Sequence, residues 1–118
     1  MTIKEFKIQY ALGSLSRNDL IEIAKCPSTS GEILIMLSRC KEYWVIRSVS
    51  INPNTPASAL AKLSNDAGWV IRTQVARNRH TSIKILKKLL HDEESNVRNS
   101  ARRYLDIRNG RKEIRYKR

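Results

Sequence analysis

The sequence is short of every feature that would mark a stapled, membrane-spanning or low-complexity chain. Among its 118 residues there are two cysteines, three prolines, four glycines and one phenylalanine. Cys26 and Cys40 lie apart without a CxxC spacing, so neither a disulfide framework nor a zinc site is expected, and both read as small core hydrophobes. So few prolines and glycines argue against a low-complexity chain, and a hydrophobic share of 41% is ordinary for a globular protein, so disorder is not the default. No apolar run approaches the ~18 residues that a spanning helix needs. Met1 to Tyr10 alternates charged with apolar residues and has no continuous signal-peptide core, so a cytoplasmic address is expected by elimination.

What the chain does have is positive charge, unevenly placed. The formal net charge is +12. Residues 1–70 carry 8 Lys/Arg against 6 Asp/Glu, whereas residues 71–118 carry 15 against 5. A charge kept only for solubility would be spread along the sequence. A basic half points instead to an anionic partner.

It also has a repeat. Thr29, Thr55 and Thr81 are each 26 residues apart, and the leucine pairs Leu34/Leu37, Leu60/Leu63 and Leu86/Leu89 keep the same period. Ile33, Ala59 and Ile85 precede the pairs, completing a narrow apolar stripe on a short helix. The threonines read as N-caps of these helices, with Glu32 closing a capping box in the first and Pro56 opening the second. Pro27 and Pro53 end the preceding helices, because the residue before a proline avoids the α region. A second short helix follows in each unit, around Val45-Ile46, Val70-Ile71 and Val97, with Ser95 as the N-cap of the last. Helices of two to three turns are marginal alone and need stacked neighbours to bury their stripes.

The expected fold is therefore all-α: a short right-handed α-solenoid of about three helix-pair repeats with capping helices. The repeats fall at approximately 26–51, 52–77 and 78–103 within a single domain, 1–108. Residues 1–25 form the N-terminal cap: a helix over Met1–Leu12 with Ile3, Phe6, Ile8, Tyr10 and Leu12 as its apolar set, then a second over Asn18–Lys25. Arg98–Ile107 makes a longer last helix, with Ala101, Tyr104 and Leu105 inward and Asn109-Gly110 ending it. Residues 109–118 form a basic tail.

The run Val49-Ser50-Ile51-Asn52-Pro53-Asn54-Thr55-Pro56, followed by Leu60, Leu63, Asp66 and Ile71-Arg72, resembles the leucine-rich repeat variant family. The resemblance covers about residues 18–105 and is best in the middle unit. The first unit departs at Cys26 and Ser30, the third at Arg79 and Ser82. The resemblance implies a right-handed superhelix of alternating short helices, related to HEAT-like arrays. The iron–sulfur member of that family has a cysteine cluster ahead of its repeats. This chain has none, so no cluster is carried over.

No catalytic constellation stands out, and no enzyme activity, cofactor or metal is expected. His80 and His91 lack a matching ligand pattern, and His91-Asp92-Glu93-Glu94 reads as a surface turn. Asp66 reads as a turn or capping residue rather than a general base. Some alkyl-base DNA glycosylases are HEAT-like, but nothing here sets an Asp in a cleft. Arg47, Arg72 and Arg98 read as one position repeated, a ladder whose guanidiniums cap carbonyls or pair with acids between units. Trp44 and Trp69, three residues before the first two, read as packing residues, with base stacking as the alternative.

The remaining cations form the candidate site. Arg77 and Arg79 precede the third capped helix; Lys84, Lys87 and Lys88 lie on it at spacings that share an exposed side; Arg102 and Arg103 lie on the last helix. Stacking would merge them into one stripe, extended by Arg111, Lys112 and Arg115 of the tail. The expected function is non-enzymatic binding of nucleic acid, DNA or RNA, through its phosphates. The alternative is an adapter that binds an acidic protein.

Overall fold

The computed structural model describes residues 1–110. They form eight α-helices and no strand: α1 (Ile3–Ala11), α2 (Arg17–Lys25), α3 (Gly31–Leu37), α4 (Tyr43–Ile51), α5 (Ala57–Leu63), α6 (Trp69–Arg77), α7 (Ile83–Leu89) and α8 (Ser95–Arg108). Arg111, Lys112 and Arg115 lie outside the described residues. No described helix is long and apolar enough to cross a membrane.

The even-numbered helices pack side by side, α2 on α4, α4 on α6 and α6 on α8, while α1, α3 and α5 contact one another in series. Two layers enclose one elongated core, and the molecule measures 51 × 27 × 25 Å. The six leucines of the periodic pairs are at most 2% exposed. Opposite them stand Val45, Ile71 and Val97, and then Val49, Val75 and Ala101, all fully buried and each 26 residues after the last. Burying one such aliphatic side chain contributes roughly 1.5–3 kcal/mol, so the two layers hold helices too short to persist alone.

The polar pattern has the same period. Thr29, Thr55 and Thr81 donate their hydroxyls to the carbonyls of Ile23, Val49 and Val75 at 2.6, 2.6 and 2.5 Å. These threonines are therefore not N-caps. They stand one residue too early and satisfy the open carbonyl end of the preceding helix. The caps are Ser30, Pro56 and Ser82, and only the two serines accept an amide, from Ile33 and Ile85. Ser30 has no reciprocal partner in Glu32, whereas Thr2 with Glu5 and Ser16 with Asp19 do form capping boxes. Glu94, not Ser95, is the N-cap of α8. Cys26 and Asn52, each before a proline, leave the helix in extended conformation, as the proline rule requires.

Asn52 and Asn78 link successive loops. The Asn52 amide donates to the carbonyls of Ala24 and Cys26, and that of Asn78 to those of Ser50 and Asn52, all at 2.8–2.9 Å. The next residue on this period is Tyr104, which has no such amide. Arg108 closes the array instead, donating to the carbonyls of Thr81 at 2.6 Å, Asn78 at 3.1 Å and Arg79. Asp66 and Asp92 accept the backbone N–H of Gly68 and Glu94 at 2.8 and 3.0 Å, and Cys40, on the same period, accepts that of Glu42 through sulfur. Asp66 is thus a turn residue. Asp92 is more than a surface turn, because Arg72 grips it from the neighbouring unit.

Four expected core positions are exposed. Ile8 and Tyr10 on α1 and Leu12 at its C-cap face solvent, and Phe6 alone is fully buried there. Cys26 is exposed and its thiol lies 3.0 Å from the Ser28 hydroxyl, which lowers its pKa below the usual value.

Candidate nucleic-acid interface

A 26-residue period places Arg72 and Arg98 on one position, but Arg47 one residue out of register, with Ile46 in its place. The bonding follows the register. Arg72 and Arg98 donate to the carbonyls six residues earlier, Asp66 at 2.7 Å and Asp92 at 2.8 Å. Arg72 is 8% exposed and serves structure, as a repeated arginine at this position should. Arg47 does not belong to the ladder. Its guanidinium carbon lies 5.6 Å from the Trp44 ring centroid, over the indole.

The tryptophans are likewise out of register, and neither is packed away. Trp44 is 47% exposed and Trp69 43%. Trp44 stands edge-on to Tyr43, with centroids 5.1 Å apart and planes at 83°. The packing reading is corrected for both. Their similarity in sequence reflects a one-residue offset between α4 and α6 rather than one shared role.

Three depressions follow one another along the even-numbered helices. The first, between α2 and α4, has a volume of about 500 Å³ and is lined by Arg17, Ile21, Lys25, Trp44, Arg47 and Ile51 among others. The second, about 260 Å³, runs between α4 and α6 and includes Ile51, Gln74, Arg77 and Tyr104. The third, about 510 Å³, lies between α6 and α8 and is lined by Arg77, Asn99, Ser100, Arg102, Arg103 and Tyr104. Ile51 is common to the first two, and Arg77 and Tyr104 to the last two. The depressions therefore form a continuous face. Among the described residues six cationic side chains line it and no carboxylate does, although Glu42 holds Arg17 at 3.0 Å from outside.

The structure brings Arg77, Arg102 and Arg103 together, all exposed, with the Arg103 guanidinium over the Tyr104 ring at 5.6 Å. It does not join them to the lysines of α7 in one stripe. Leu86 and Leu89 turn inward, so Lys84, Lys87 and Lys88 stand on the outer surface of α7, away from the depressions. Lys88 also serves packing, since its ammonium bonds the Ser64 hydroxyl at 3.3 Å and the Asn65 side chain. Arg79 sits at the loop edge of the molecule, its Nε 3.4 Å from the Pro53 carbonyl.

The α2/α4 depression lies outside the basic half, so the charge asymmetry of the sequence does not point to it. A signal was present: counting back by 26 from Arg103 and Arg77 gives Ile51 and Lys25, so three of four equivalent positions are cationic. Among the described residues no group of three or more His, Cys, Asp or Glu side chains is arranged to hold a metal ion. No protein-family model, curated protein or solved structure matches the chain.

Proposed function

We propose that this chain is a short right-handed α-solenoid of three helix-pair units, of the leucine-rich repeat variant kind. We further propose that it is a non-enzymatic binding protein that holds nucleic acid along the face of its even-numbered helices. The 26-residue recurrence of the threonine, asparagine and leucine contacts supports the repeat reading. The observation that carries the ligand reading is the lining of the three depressions: cations in each, and no acid among the described residues. A track of arginine and lysine heads over shallow, joined depressions suits a phosphate backbone, which is read as charge and not as sequence.

The test is fluorescence anisotropy with labelled oligonucleotides over a salt series. If about five phosphates are neutralised on a single strand, log K falls with log salt at a slope of about −3.5. Binding that does not change between 50 and 200 mM salt, on the order of the range over which such contacts weaken, rejects the proposal. An acidic protein is the other partner that charge alone admits. Recovery of one acidic protein from cells, unchanged by nuclease, would replace the first reading with that one.

A further inference from the structure

We infer that the α2/α4 depression is a nucleobase subsite and that the nucleic acid bound is single-stranded. The inference rests on the nucleic-acid reading above and adds the class of ligand. Its starting point is Trp44. An indole held almost half in water is a poor packing residue, and the same register position carries Val70 and Asn96 in the following units, so the repeat does not require an aromatic there. Tyr43 fixes the ring edge-on, and the Arg47 guanidinium lies over it. Indole and guanidinium together offer flat π surfaces on which any base can stack, without reading its identity.

The surroundings suit a base attached to a phosphate. Ile21 and the half-exposed Ile51 supply apolar walls, while Lys25 and Arg47 supply charge at the rim; Arg17 is held by Glu42. The volume of about 500 Å³ lies within the range of small-ligand sites. From there the face continues past Ile51 and Arg77 to the depression at Arg102 and Arg103. Adjacent helices pack roughly 8–10 Å apart, so the track from α4 to α8 is on the order of 16–20 Å and spans several nucleotides. In a duplex the bases are stacked on each other and cannot reach a ring in a shallow depression. Only an unpaired strand can put a base on Trp44 and its phosphates on the arginines.

The probe is a thymidylate oligomer of about 12 nucleotides, within the usual site size for such proteins, compared with a duplex of the same length. In a Trp69→Phe variant Trp44 is the only indole, and the oligomer should quench its fluorescence on binding. In Trp44→Phe, where Trp69 alone reports, no quenching is expected. Trp44→Ala should weaken oligomer binding roughly 5- to 150-fold, Trp44→Phe should retain most of it, and duplex binding should be weaker and unaffected by either change. Oligomer binding with the steep salt slope, but with Trp44 unquenched and Trp44→Ala equal to the parent, overturns the subsite and leaves the nucleic-acid reading standing. Failure of the unaltered chain to bind either probe at low salt overturns both. Because the quenching is read from unaltered Trp44, loss of fold in Trp44→Ala cannot decide the result.

Discussion

Arg72 holds Asp92 in a two-pronged ion pair across adjacent units, with its Nε 2.8 Å from Oδ2 and its Nη2 3.1 Å from Oδ1. The remaining nitrogen, Nη1, donates to the carbonyls of Asp66 and Ala67, so one buried guanidinium ties α6 to its own preceding turn and to the next one. Both side chains are about nine-tenths buried, 10% and 9% exposed. Burial, which alone would raise the Asp92 pKa, is outweighed by the bonds from Arg72 and the Glu94 amide and by the charges of Arg72 and Arg98, so the pKa is lowered.

The pair gives a pH signature. A carboxylate with a depressed folded-state pKa contributes stability that is fully present above its unfolded value, about 3.9, and is lost as pH falls through the folded one. Asp92→Asn leaves the buried guanidinium with only the solvent-exposed Glu93 carboxylate, 3.9 Å away, as a close counter-charge, and should cost on the order of 3 kcal/mol at neutral pH. The gap between parent and variant should close below about pH 4. Urea denaturation of both proteins across that range checks this; a gap independent of pH would show that the charge is immaterial.

The asparagine links should carry much of the stacking. Asn78→Ala removes two buried hydrogen bonds and leaves the carbonyls of Ser50 and Asn52 without that donor. A loss of roughly 2–3 kcal/mol is expected, with both transitions remaining cooperative. Chemical denaturation measures it, and a change below about 0.5 kcal/mol, the scatter of ordinary surface substitutions, would refute the role.

Arg108 should behave as the end cap of the array. Its three carbonyl contacts substitute for the amide that Tyr104 lacks, so Arg108→Ala should destabilise by about 1–2 kcal/mol. That corresponds to a fall of roughly 5–10 °C in Tm for a chain of this size, measurable by circular dichroism. Oligonucleotide affinity of the folded variant should be nearly unchanged, since Arg108 lines none of the three depressions.

Charge reversal separates the two basic surfaces. Arg77→Glu with Arg102→Glu should lower oligonucleotide affinity at least tenfold and flatten its salt slope by about 2 × 0.7 for a single strand. Reversal of Lys84 and Lys87, on the outer side of α7, should do much less, acting only through long-range attraction that salt screens. Equal losses from the two pairs, measured by anisotropy near physiological salt, would mean that binding follows net charge and not the depressions.

The primary structure by itself determined that the chain is all-helical and which leucines and valines of the 26-residue pattern form the core. Leucines 26 residues apart, prolines after extended residues and a Gly past the last helix are local signals, and local backbone preference answers them. It also carried the positive charge and three of the residues on the candidate face, Arg77, Arg102 and Arg103. Register was not legible at the level of one residue. Val45-Ile46-Arg47 and Val70-Ile71-Arg72 look alike at a spacing of 25, yet packing aligns Val45 with Ile71, because the side chain that fits between the layers sets the register and resemblance does not. That shift of one decided that Arg72 is buried in an ion pair while Arg47 lies over an exposed indole. Only the tertiary structure separated the α7 lysines from the arginines of α6 and α8, since which side of a short helix meets solvent depends on what its leucines are packed against.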